Sequence, residues 1–169
     1  AIDNLINYIS RLETFYAYDF LILDILFHIV NLPFEEKFLE YVEKIISNNL
    51  ENSKSKSIYY LIIHVNPLMN LIDVYSRGGY YENAEKLIYK LKLLLTQDSF
   101  TQLSFHNLFC VNMYEVYNLL LQNNPKAIER ANAVIHYIDA QNNLFPLANM
   151  FTIKNAFIKE VKRLNKTGI

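Results

Sequence analysis

Residues 68 to 91, LMNLIDVYSRGGYYENAEKLIYKL, constrain the fold more than any other stretch of this chain. Leu68, Leu71, Ile72 and Tyr75 recur at three- and four-residue spacing, and after the break at Gly79 so do Tyr81, Ala84, Ile88 and Leu91. Two such stripes separated by a glycine predict a helical hairpin, and the small Ala84 predicts a close helix–helix approach. A hairpin of this length cannot bury its apolar face alone, so it must stack on neighbours.

Further breaks fall at Asn31-Leu32-Pro33 and at Asn123-Asn124-Pro125, giving with Gly78-Gly79 an interval of roughly 46 residues. Each break is followed by a comparable amphipathic segment: PFEEKFLEYVEKII, YYENAEKLIYKLKLLL and PKAIERANAVIHYI. Pro33 and Pro125 suit the first turn of a helix, where no intrahelical donor is lost. Longer first helices are expected at about 14–31, 56–77 and 100–122, with a short one at 3–12 and a final one at about 145–165. Ser47 to Ser57 and Thr96 to Thr101 read as inter-hairpin loops. Asp3 and Asp98 or Ser99 are candidate N-caps, and Pro67 should kink its helix or shift its start. Three Gly and four Pro in 169 residues leave little room for the turns of a many-stranded sheet. The expectation is one all-α domain over 1–169, of about eight antiparallel helices.

The hairpin at 68–91 resembles the tetratricopeptide (TPR) repeat, which implies a TPR-like right-handed superhelix. On that pattern the concave face is built from first-helix positions lying between the packing stripe. In this chain they are Asn66, Met69, Asn70, Asp73 and Arg77, joined on the next first helix by Asn107, Tyr114 and Asn118. An asparagine amide carries both donor and acceptor, so a ladder of them can pair with the backbone of an extended peptide whatever its side chains. Asparagine is also simply common in this chain, which accounts for some of the pattern.

Other chemistry has little to stand on. His28, His64, His106 and His136 show no three- or four-residue spacing of the kind a helical metal site uses. Glu35-Glu36 and Glu82-Glu85 sit in first turns, where the helix dipole favours negative charge. No nucleophile elbow, phosphate-cradling glycine loop or zinc-hydrolase motif is present, so no enzyme, cofactor or metal is expected. A net charge of -1 argues against a nucleic-acid surface, and Lys154, Lys159, Lys162, Arg163 and Lys166 read as a solvated face on the last helix. The lone Cys110, in an apolar run, reads as a reduced core thiol of a cytoplasmic protein. The apolar run Phe20 to Val30, interrupted by Asp24 and His28, reads as a core helix too short to span a bilayer.

Taken together, LINYISRLETFYAYDFLIL, MNLIDVYSRGGYYENAEKLI and FHNLFCVNMYEVYNLLL followed by the basic final helix resemble the C-terminal domain of the Rgg and MutR family of Gram-positive transcriptional regulators. The resemblance covers nearly the whole chain. It implies a cytoplasmic regulator that forms a homodimer through its helical domain and senses a short signalling peptide on the concave face. Only Asn66 and Asn70 fall where a peptide-contact role carries over. DNA would be bound only through an N-terminal helix-turn-helix domain, which this chain does not contain, so Ala1 would lie at or after the linker that follows it. A TPR-like protein–protein scaffold with no transcriptional role is the other reading.

Overall fold

The computed structural model describes residues 2–29, 34–52, 58–96, 101–144 and 148–165. Among them there are eight helices and no strand: α1 (Ile2–Ile9), α2 (Ala17–Ile29), α3 (Glu36–Asn52), α4 (Ile58–Gly78), α5 (Tyr81–Leu95), α6 (Thr101–Leu121), α7 (Lys126–Leu144) and α8 (Ala148–Leu164). Among the described residues no helix is long and apolar enough to cross a membrane.

Two helix ends share one device. Gly79 has φ +83°, the Tyr80 amide bonds the Tyr75 carbonyl at 2.9 Å, and the Gly79 amide bonds that of Ser76 at 3.2 Å. Asn123 has φ +53°, with Asn124 bonding Leu119 at 2.9 Å and Asn123 bonding Leu120 at 3.0 Å. Both are Schellman ends, and both use a residue type that tolerates the left-handed region. The Asn124 side chain then accepts from the Lys126 amide at 3.0 Å, so Asn124 caps α7 with Pro125 in its first turn. At the start of α2, Asp19 reaches back to the Tyr16 amide at 2.8 Å and accepts from the Tyr8 hydroxyl at 2.9 Å, which satisfies a carboxylate only 3% exposed.

Three expectations change. α3 does not stop near Ser47 but runs to Asn52: Ser47 is buried against the core and the Asn49 amide donates to the Phe15 carbonyl at 3.0 Å, so packing holds a polar stretch helical. α4 neither ends nor starts at Pro67, which lies inside the helix. The missing donor to the Ile63 carbonyl is tolerated because this central helix packs on α2, α3, α5 and α6. Asp3 lies within the first turn of α1 rather than before it. Pro33, Asp98 and Ser99 lie outside the described residues.

The even-numbered helices touch in succession, α2 on α4, α4 on α6 and α6 on α8, while α3 packs on α4, α5 on α4 and α6, and α7 on α6 and α8. One apolar cluster fills α1 to α5 and takes in Val111 of α6; a second joins Phe109, Val116 and Leu120 of α6 to Ala131 and Ile138 of α7 and Phe157 of α8. Helix α6 is therefore buried on two sides, and Cys110 packs against both clusters, its thiol pKa pushed up by burial.

Candidate functional site

Asn66, Asn70, Asp73 and Arg77 are spaced four, three and four residues apart, so a helix puts them on one stripe. The stripe is open: Asn66 and Arg77 are exposed, Asn70 and Asp73 half-buried. Met69, one position away, is 7% exposed and belongs to the core instead. The Asn70 amide donates to the Asp24 carboxylate of α2 at 2.8 Å. Arg77 donates to Asp73 at 2.9 Å and to the Phe27 carbonyl at 3.4 Å. Asp24 also lies 3.3 Å from His28, one turn on.

On α6 the structure separates the expected set. Tyr114 is half-buried among the charges of Asp73, Arg77 and Asp24, and burial above all pushes its hydroxyl up to about 12. Asn107 and Asn118 lie beneath the surface, at 5% and 1% exposed. Asn118 accepts from the Ser76 hydroxyl at 2.9 Å and donates to the Tyr81 carbonyl at 3.5 Å, bracing α4 and α5 against α6. The Asn107 amide nitrogen is buried with no hydrogen-bond partner among the described residues. The stripe through 107, 111, 114 and 118 holds the buried Asn107, Val111 and Asn118 and turns toward α4, while Tyr117 and Leu121 stand half-buried beside it.

Those two face α8. Between them opens a cleft of about 260 Å³, lined by Phe27 and His28 of α2, Asp73 and Arg77 of α4, Tyr117 and Leu121 of α6, and Glu160, Arg163 and Leu164 of α8. Arg163 donates to Glu160 at 2.8 Å through Nε and closely again through Nη2, and these bonds hold the Glu160 carboxyl below the usual range. Burial raises the Tyr117 hydroxyl pKa, with Glu160 and Asp73 adding to the shift. The cleft therefore presents two carboxylates, two guanidinium groups and an imidazole over a floor of Phe27, Leu121 and Leu164. Such a lining can offer donors and acceptors in alternation to a polar backbone while burying an apolar side chain.

His28, Tyr117, Glu160 and Arg163 escape sequence reasoning because they reach the cleft from helices distant in the chain. The faint signal is the three-residue spacing of Glu160 and Arg163, which makes an ion pair along α8. Among the described residues no group of three His, Cys, Asp or Glu side chains could hold a metal ion. No protein-family model, no curated protein and no solved structure matches this chain.

Proposed function

We propose that this chain is the regulatory domain of a bacterial Rgg/MutR-like transcriptional regulator, acting in the cytoplasm and binding a short signalling peptide. On this reading the helices form a TPR-like right-handed superhelix with the even-numbered helices on its concave side. DNA is recognised through a separate helix-turn-helix domain. One observation carries the proposal: α2 and α8, the first and last even-numbered helices, line the same cleft as α4 and α6, as an inward-curving array requires.

The peptide lies along the α4 stripe. Asn66 and Asn70 pair with its backbone, and an apolar side chain enters the cleft beside Tyr117. Asp73, Arg77, Glu160 and Arg163 then exchange their partners along the helix for peptide amides, carbonyls or charges. Asn118 acts beneath this surface, bracing α6 against α4 and α5 rather than touching the ligand, and Asn107 is buried with it. Peptide binding biases the regulator only as far as it prefers one arrangement of the assembled protein over another.

The test is a fluorescence-polarisation screen of short synthetic peptides against the purified chain, followed by titration of the best binder. Asn70→Ala should raise its Kd about 5- to 150-fold, equivalent to about 1–3 kcal/mol for a lost hydrogen bond in a dry groove. Asn132→Ala, exposed on α7, should leave the Kd unchanged. Equal affinity in the Asn70 variant removes that residue from the site, and a screen without a binder sinks the peptide reading.

A further inference from the structure

Helices α3 and α5 both pack on α4, and a groove of about 370 Å³ runs between them. It shares no residue with the cleft beside Tyr117. Glu40, Glu43, Ser47 and Glu51 reach it from α3, spaced three, four and four residues apart, and Lys86 and Lys90 reach it from α5. Its two ends are bridged, because the Asn83 amide donates to Glu40 at 3.3 Å and Lys90 lies 3.8 Å from Glu51. Between those bridges the groove stays open. Ser47 there is 5% exposed, and its hydroxyl oxygen has no hydrogen-bond partner among the described residues. A buried hydroxyl without a partner costs stability, so a surface serving only to hold two helices together would gain by carrying alanine. We propose that this groove binds a free α-amino acid with a polar side chain, its ammonium on Glu43 and Ser47 and its carboxylate on Lys86.

The charges identify the class of ligand. Of the lining residues, α3 supplies three carboxylates and Lys44, whereas α5 supplies two lysines and no acid. A purely anionic ligand meets the carboxylates and a purely cationic one the lysines, but a zwitterion laid across the groove matches both walls. Glu43 is half-buried and accepts from the Tyr75 hydroxyl at 3.0 Å through Oε2, which leaves Oε1 for the groove. Burial pushes its pKa up against the pull of Tyr75, Lys90 and Lys86, so the carboxylate is incompletely compensated and an incoming ammonium supplies what it lacks. The Ser47 oxygen, one turn on, accepts a second ammonium proton. Lys86 acts on Glu43 from the other wall and forms no ion pair with a described residue, so it is placed to hold the carboxylate. Every lining residue is polar or charged, so an apolar side chain has nothing to bury against, while the Asn48 amide and the Asn83 carbonyl offer a polar one a donor and an acceptor. This inference does not rest on the peptide reading.

The experiment is isothermal titration calorimetry of the purified chain with L-glutamine, L-asparagine and L-serine through the millimolar range. At least one should bind saturably, and L-leucine should not. N-acetylation of the best binder removes its ammonium charge and amidation removes its carboxylate; each should weaken binding about 10-fold or more, as loss of a charge-assisted bond does. Ser47→Ala and Lys86→Gln should each weaken it as well. Because the Ser47 hydroxyl has no partner to lose, Ser47→Ala should leave the thermal midpoint unchanged or raise it, which separates lost binding from lost folding. Arg77→Gln, in the cleft, should leave the affinity unchanged. Absence of saturable binding by all three amino acids overturns the proposal, as does equal binding of L-leucine or binding indifferent to both cappings or to both groove substitutions. Binding lost with Arg77→Gln and kept in the two groove variants moves the amino acid to the cleft and overturns the groove.

Discussion

The two sides of the molecule place their charges differently. On the side of the odd-numbered helices, polar contacts run between helices. Lys92 of α5 and Arg130 of α7 both hold Glu115 of α6, at 2.8 and 2.7 Å. Lys154 of α8 holds Asp139 of α7 at 2.6 Å, and Tyr75 of α4 donates to Glu43 of α3 at 3.0 Å. Around the cleft the ion pairs run along single helices, Asp24 with His28, Asp73 with Arg77 and Glu160 with Arg163, and the bonds from Asn70 to Asp24 and from Arg77 to the Phe27 carbonyl join α4 to α2 alone. A pair across helices closes the gap it spans. A pair along one helix keeps its charges in place and leaves the gap beside it open, as a binding surface needs.

The sharpest way to break this contrast is at the three-helix node. Burial acts to raise the Glu115 pKa, but the bonds from Lys92 and Arg130 outweigh it and hold the carboxyl below its usual range. Glu115→Ala should cost about 2 kcal/mol in chemical denaturation, because charge-assisted bonds are lost and two cations are left facing each other. A group whose folded pKa is lowered contributes its stability above the unfolded value and loses it as pH falls through the folded one. The difference between Glu115→Ala and the native chain should therefore be full at neutral pH and shrink in acid below about pH 4.5, the ordinary glutamate value. A constant difference down to strong acid removes the electrostatic account.

Tyr75→Phe should cost less, about 1 kcal/mol, since it deletes one hydroxyl from a fully buried ring and leaves Glu43 without that donor. Burial already raises the Glu43 pKa, so the sign is opposite to that of Glu115: the penalty on the charged form is present at neutral pH and relieved on acidification. The Tyr75→Phe defect should accordingly lessen as Glu43 takes up a proton, which a denaturation series against pH measures. The smallest effect belongs to the cleft. Asp73→Asn removes an i,i+4 pair whose side chains are 36% and 37% exposed, and should change stability by less than about 0.5 kcal/mol. A loss as large as that for Glu115 would show that Asp73 is a structural brace, and the contrast between the two sides would collapse.

Much of the fold is legible in particular residues. Gly79 and Asn123 announce helix ends because few other residue types accept the left-handed backbone a Schellman end requires, and the structure has both there. The 66-70-73-77 stripe is legible for the same local reason: its neighbours in register, Leu68, Leu71, Ile72 and Tyr75, are apolar and turn inward. Ser47 to Asn52 misleads because serine and asparagine favour loops in isolation, and only the core beneath them keeps α3 helical. Asn118 misleads more instructively. Its polarity suggests a groove, but a rotation of about 100° per residue separates it from Tyr117, and one step decides which of them meets α4 and which lines the cleft.

The sequence by itself determined the units: helices, their ends, and the buried stripe of each, since these depend on residues within a turn or two of one another. Tertiary structure alone decided which exposed residues share a surface. Asp73 and Glu160 are far apart along the chain, and neither carries any local mark of the other. They border one cleft only because α4, α6 and α8 pack in succession, and that packing is settled by the shape of two apolar clusters rather than by any residue in the cleft.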